Sequence, residues 1–344
     1  MADRVALVRA RWWLCIPTTF VILALVDVAI ALFWHPNPSR LPEQFSASYL
    51  ERYVDLERGR HPVVFLGDSV LWGYRLPAGD VAAELIARDV GPVPVLNLSY
   101  EGGSSANSYF VLRYLLSRGI VPRAIVLGIN SKVTNVADSA YRRLQPSVET
   151  AVLPLLSASD RHVLDLSSKD DLPARLDRMV ADLWTLYRYR TDLREQFFGT
   201  DDASLAVRDE VRRLTGSARL EALAHSPTAD KFLGTYDLSP IAADNVDAIY
   251  LRKLAALIER ERIPAVAFLT PANHALLHDY IDDPAYAANV AALARMIRRP
   301  GTTVLDLDRA IPAAEFIDND HLTEAGNRRL AALLLPAVRK AVER

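Results

Sequence analysis

Apolar positions fall into three patterns along the chain. One long run, WWLCIPTTFVILALVDVAIALFW, extends from Trp12 to Trp34 with Asp27 as its one charged residue. Further on come short unbroken runs that stop at turn-forming or polar residues. These are Val63–Leu66 before Gly67, Val93–Leu96 before Asn97, Ala124–Leu127 before Gly128 and Ala265–Leu269 before Thr270-Pro271, with Thr303–Leu307, interrupted by Asp306, as a fifth. Unbroken apolar runs of this length predict strands buried on both faces, as in a parallel sheet. Between and after them apolar residues recur at helical spacing, predicting helices over about 42–58, 79–89, 105–118, 245–261, 285–298 and 323–342.

Five strands alternating with helices predict an α/β domain: a three-layer α/β/α sandwich around a five-stranded parallel sheet, with flavodoxin-like strand order 2-1-3-4-5. The alternation breaks once, over residues 133–244, where no core strand is evident. Leu172, Leu176, Met179, Leu183 and Tyr187 recur there at helical spacing, and Trp184, Tyr189, Phe197 and Phe198 add aromatic bulk. This segment reads as a largely helical insertion, serving either as a packing subdomain or as a lid above the strand ends.

The 23-residue apolar run is long enough to cross a bilayer as a helix. Trp12, Trp13 and Trp34 stand at its ends, where indoles favour the interface, and Arg4, Arg9 and Arg11 precede it. The positive-inside rule then places residues 1–11 in the cytoplasm, 12–34 in the membrane, 35–60 as a linker with a helix, and the domain 61–344 outside, in the periplasm or at the cell surface. A cleaved signal peptide competes, with Ala29-Ile30-Ala31 as its cleavage motif, as does a buried helix of a soluble protein; the length of the run favours an uncleaved anchor. Asp27 costs about 2.5–3.5 kcal/mol inside such a span. It is either a tolerated, protonated or snorkelling side chain or a contact for another membrane protein.

Composition narrows the function. Forty basic residues against 42 acidic give a net charge of −2, which leaves no electrostatic case for nucleic acid as a partner. Cys15 is the only cysteine, so an intrachain disulfide or a cysteine zinc cluster is excluded. The 35 arginines against 5 lysines fit a GC-rich bacterial genome.

In a doubly wound sheet, ligands bind beyond the carboxyl ends of the strands. The residues found there are Gly67-Asp68-Ser69-Val70, Asn97-Leu98-Ser99-Tyr100-Glu101-Gly102-Gly103 and Gly128-Ile129-Asn130, with Asp318-Asn319-Asp320-His321 ahead of the last helix. They supply what acyl transfer needs. A serine becomes nucleophilic when an imidazole takes its proton, a carboxylate fixes the imidazole tautomer, and a glycine loop with an amide side chain can stabilise an oxyanion. Asp318 and His321 can share one short loop, and Asp320 is a competing carboxylate. Ser69 would also serve as a plain helix N-cap and His321 as a surface histidine. His274 and His278 have a metal-compatible i, i+4 spacing but no third ligand beside them, so no metal or other cofactor is expected. Asp68, Trp72, Asn273 and His274 are candidate substrate contacts, as are Tyr74, Arg75 and Thr270.

Taken together, the blocks VVFLGDSV, NLSYEGG, VLGIN and FIDNDHLTEAGN resemble the SGNH/GDSL hydrolase superfamily, in the right order over residues 61–344. The resemblance implies Ser69 as nucleophile, Asp318 and His321 as its partners, and Ser69, Gly102 and Asn130 as oxyanion donors. It departs at Ser131, where the family usually has aspartate. It implies a membrane-anchored, extracytoplasmic serine esterase acting on an O-acyl ester or acylated glycan. Two alternatives stand beside it: an O-acyltransferase that modifies a cell-envelope polysaccharide with a polytopic membrane partner, and a catalytically silent carbohydrate-binding module.

Overall fold

The structure, a computed structural model, describes residues 2–34, 40–42, 45–132, 144–164, 172–190, 193, 236 and 238–344. Its elements are α1 (Ala2–Phe33), α2 (Ala47–Asp55), β1 (Val63–Leu66), α3 (Ser69–Trp72), α4 (Ala82–Asp89), β2 (Val95–Asn97), α5 (Ser105–Ser117) and β3 (Ala124–Ile129). There follow α6 (Pro146–Val152), α7 (Ala158–Val163), α8 (Leu172–Leu183), α9 (Thr185–Arg188), α10 (Val246–Arg260), β4 (Ala265–Leu269), α11 (His274–Ile281), α12 (Pro284–Ile297), β5 (Thr302–Asp306) and α13 (Glu324–Val342).

All five strands pair in parallel in the order β2-β1-β3-β4-β5, as the apolar runs predict. Strand side chains alternate between two cores. Val64, Leu66, Ile125, Leu127, Ala267 and Leu269 face one, built with α2, α5, α10 and α12. Val63, Phe65, Val126, Val266 and Phe268 face the other, against α4 and α13. Helices therefore cover both faces, and β1 and β4 are apolar and buried throughout because neither of their faces meets water, while the edge strand β5 is half-buried and ends in the exposed Asp306.

Local chemistry sets the helix starts. Ser46 accepts from Tyr49 N and starts α2 later than the apolar spacing suggests. Ser104, Asn245, Asp283 and Thr323 cap α5, α10, α12 and α13 in the same way. Helix α11 is an addition to the expected set. At eight residues it is too short for periodicity to reveal, and it starts on the Asn273 cap.

The described part of the insertion packs into the first core rather than standing apart. The Asp160 carboxylate of α7 accepts from Tyr250 Oη at 3.0 Å and Lys253 Nζ at 2.7 Å, both on α10. Ser48 of α2 donates to Asp182 of α8. Phe197 and Phe198 lie outside the described residues. Within α1, Cys15–Phe33 is a 19-residue stretch long and apolar enough to cross a membrane. The Asp27 side chain accepts a hydrogen bond from Leu186 N at 2.6 Å, a partner within the chain that neither reading of this carboxylate foresees.

Candidate active site

Strand order reverses beside β1, so the loops after β1 and β3 diverge and leave a crevice between them. The β1 loop turns at once into α3. Asp68 caps that helix by accepting from Val70 N at 3.1 Å, which places Ser69 at its first position. The Ser69 N–H therefore has no intrahelical partner. Gly103 of the β2 loop lies so close that a Cβ there would stand 2.2 Å from Gly67 O, and only glycine lets the two loops meet. Gly102 beside it has φ +70°, a left-handed conformation that glycine adopts without strain.

The third part arrives from the C-terminal end of the chain. Ile317 N donates to His321 O at 2.7 Å, closing a tight loop before α13. Within it, Asp318 Oδ1 accepts from the backbone N–H of Asp320 at 3.1 Å and of His321 at 2.9 Å. Asn273 braces the loop from outside, donating its amide to Asp318 O at 3.0 Å and its N–H to Asn319 O at 2.8 Å.

The four separated motifs thus converge. His321 Nε2 is 2.8 Å from Ser69 Oγ, and His321 Nδ1 is 2.8 Å from Asp318 Oδ2. Burial pushes the Asp318 carboxyl up. The His321 ring hydrogen bond and charge, with the two loop N–H donors, outweigh it and hold the group at about 2. Burial pushes His321 down, but its hydrogen bond to Asp318 and the charges of Asp320 and Asp318 raise it above the ordinary 6.5. Tyr74 covers the imidazole, with ring centroids 4.3 Å apart.

Asn130, at the end of β3, has a less expected setting. Its Nδ2 donates to Asp68 Oδ2 at 2.7 Å and to Asp320 Oδ2 at 3.0 Å, so both amide hydrogens rest on buried carboxylates. Burial and the Asp320 charge raise Asp68 above the usual carboxylate range. Lys132 sits 2.6 Å from Asp320 Oδ2 and offsets the accumulated negative charge. Asp320 Oδ1 stands 3.6 Å from His321 Nδ1, beyond hydrogen-bonding reach.

Four expected substrate contacts are instead held internally. Asp68 is buried and spent on Val70 N and Asn130. Trp72 is buried beneath the Arg40 guanidinium and donates its indole N–H to Leu41 O. Asn273 braces the acid–base loop. His274 Nε2 lies 2.7 Å from Asp308 Oδ2, which occupies one of the two ring nitrogens of His274. Ser131, the departure from the family pattern, bonds to Tyr286 Oη at 3.0 Å, and Tyr286 donates to Asp308 at 2.6 Å.

Sequence reasoning missed Lys132 and Asp308. Lys132 follows Asn130 by two residues, but a lone lysine after a strand gives no signal of the carboxylate it meets. Among the described residues, Asp318, Asp320 and His321 bring three potential metal donors within 4.8 Å of one another. Most of their facing atoms are committed to Ser69, to loop N–H groups and to Lys132 and Asn130, which suits a proton relay better than a cation.

The charge pattern gives a pH prediction. A general base works when neutral, so kcat/KM should rise with pH along an acid limb whose midpoint lies above 6.5. The Lys132 charge lowers His321 and the Asp320 charge raises it. Lys132→Met should therefore move the limb to higher pH and Asp320→Asn to lower pH, as read from pH–rate profiles. An acid limb unmoved in both variants would show that neither charge reaches the imidazole.

No protein-family model matches the sequence, and no curated protein matches it. Similar solved structures include a lipolytic protein of the G-D-S-L family from Desulfitobacterium hafniense, at 8% identity and TM-score 0.38, covering 82% of this chain and 99% of that one. LAE5, an alpha/beta hydrolase enzyme from the Lake Arreo metagenome, is 13% identical with TM-score 0.40, covering 82% of this chain and 96% of its own. A mutant of Axe2, an acetyl-xylooligosaccharide esterase from Geobacillus, is 12% identical with TM-score 0.33, covering 83% and 94%.

Proposed function

We propose that the protein is a serine ester hydrolase of the SGNH type. One observation carries this reading: the Ser69–His321–Asp318 relay, with 2.8 Å at each junction, at the carboxyl end of β1. Ser69 Oγ attacks the carbonyl carbon of an O-acyl ester while His321 Nε2 takes its proton. Asp318 stabilises the imidazolium and holds the tautomer. In this reading the Ser69 and Gly102 N–H groups serve as oxyanion donors, with Asn130 as a third. Asn130 can release Asp320 as the substrate carbonyl arrives, because Lys132 continues to neutralise that carboxylate. His321 then protonates the leaving alcohol. Water, deprotonated by the same imidazole, cleaves the acyl-serine and regenerates the hydroxyl.

An intact relay argues against a silent binding module. The apolar α1 favours a domain tethered to a membrane, with Arg4, Arg9 and Arg11 on the cytoplasmic side and the relay beyond the opposite face. It also keeps a second reading in view: transfer of the acyl group to a glycan hydroxyl beside a polytopic membrane partner shares every step up to the acyl-serine.

The full-length protein should react with a fluorophosphonate probe at Ser69, seen as a mass shift on the peptide that carries it. It should also release acetate from an acetylated oligosaccharide. Absence of both would overturn the esterase reading. Acyl appearing on an added glycan in place of free acetate would favour transfer. A reporter active only outside the cytoplasm, fused after Arg344, should give signal.

Asn130→Ala should lower kcat by about 100- to 1000-fold. It should also cost about 1–3 kcal/mol of stability, because the Asp68 carboxylate loses its donor. A KM effect alone would assign Asn130 to substrate binding.

A further inference from the structure

Helix α8 departs from what its sequence pattern leads one to expect. Its apolar stripe of Leu176, Met179 and Leu183 has the spacing of a core-facing side. In the structure all three are exposed, Leu183 to 78%, and the core is met by the opposite side through Ala181. The adjoining Trp184 is 40% exposed and stacks on Tyr187, which in turn lies 3.9 Å under the Arg190 guanidinium.

The place of this stripe is set by α1. Helix α9, directly after α8, packs on α1, and Asp27 accepts from its Leu186 N–H. Asp27 lies seven residues before Trp34, or about 10 Å down the helix axis. An element touching Asp27 therefore sits at or below the level of Trp34 along the apolar helix. Amphipathic helices at a bilayer surface bury their apolar face about 5–10 Å into the headgroup–acyl boundary, with aromatic and basic residues at headgroup level.

We propose that the Leu176–Met179–Leu183 face of α8, with Trp184, is a second membrane contact that docks the domain on the outer leaflet beside α1. The proposal rests on the anchor reading of α1 and goes beyond it: the domain lies against the lipid surface instead of hanging from a tether. It also accounts for Asp27. The carboxylate within the apolar span has a partner in the α9 N–H, at the edge where protein and lipid meet.

Nitroxide labels in the full-length protein, reconstituted in phosphatidylcholine–phosphatidylglycerol vesicles, test it. Single cysteines are introduced at Leu25, Leu183 and Glu343 in a Cys15→Ser background, and collision with oxygen is compared with collision with a water-soluble nickel chelate. Fluorophosphonate reaction at Ser69 reports that each variant is folded. The labels at Leu25→Cys and Leu183→Cys should both favour oxygen, with a ratio several-fold above that at Glu343→Cys. Oxygen preference at Leu25 with nickel access at Leu183 would overturn the second contact and leave the anchor standing. Shielding of Leu183 from both reagents would also overturn it, showing that residues of this chain or a second copy cover the stripe. Nickel access at Leu25 would remove the anchor reading and the proposal together. A second variant, Met179→Cys, should match Leu183 and guards against one site being perturbed by its label.

Discussion

Replacing Ser69 by alanine should lower ester turnover by about 10⁴- to 10⁶-fold, the usual loss when a relay member that acts as a unit is removed. Fold should survive. The hydroxyl is donated to His321 and carries no part of the core, while the helix it begins is capped by Asp68 and not by Ser69. The measurements are kcat on an acetylated substrate together with a thermal melt. A folded Ser69→Ala protein that keeps its activity would exclude Ser69 as nucleophile, whatever the distance to His321.

Asp318→Asn should come next, with a loss of about 10⁴-fold in kcat. The substitution isolates one effect. An asparagine oxygen can still accept from the His321 and Asp320 N–H groups that shape the loop. Its amide nitrogen, however, would donate to His321 Nδ1. The ring must then carry its proton on Nε2, where it can no longer receive one from Ser69. Asp320→Asn should have the milder effect, because Asp320 stands 3.6 Å from the ring and is held by Lys132. If the two variants rank the other way, the carboxylate assignment is reversed. Asp318 titrates at about 2, so it adds nothing to the pH profile near neutrality, and the acid limb belongs to His321.

Much of this was legible in the chain before any coordinates. Apolar runs such as Val63–Leu66 and Ala265–Leu269 revealed the strands because both their faces are covered, and the turn chemistry after each run marked where the site would lie. Ser69, Asn130, Asp318 and His321 stood out because each follows such a run or sits in a short polar loop. What stayed hidden depends on contacts across the sheet. Nothing local shows that Asn130 meets two carboxylates, that Lys132 neutralises one of them, or that Trp72 turns inward to Leu41 O. The α8 stripe marks another limit: helical periodicity reports that a face is apolar, but not what covers it. Helix α11 was missed because its eight residues give too few turns to define a period.

Ser69 and His321 are separated by 252 positions in the chain. At a synthesis rate of about 5–20 residues per second, about 13–50 s pass between the emergence of the serine and that of its base. During that interval Ser69 lacks His321, and without a base to take its proton a serine hydroxyl is a poor nucleophile. The last loop, pinned by Asn273 and followed by α13, brings the imidazole to the serine only once both have been made. On the proposed reading a nascent chain is inert toward esters until then, and truncation ahead of His321 should abolish ester turnover by removing the base.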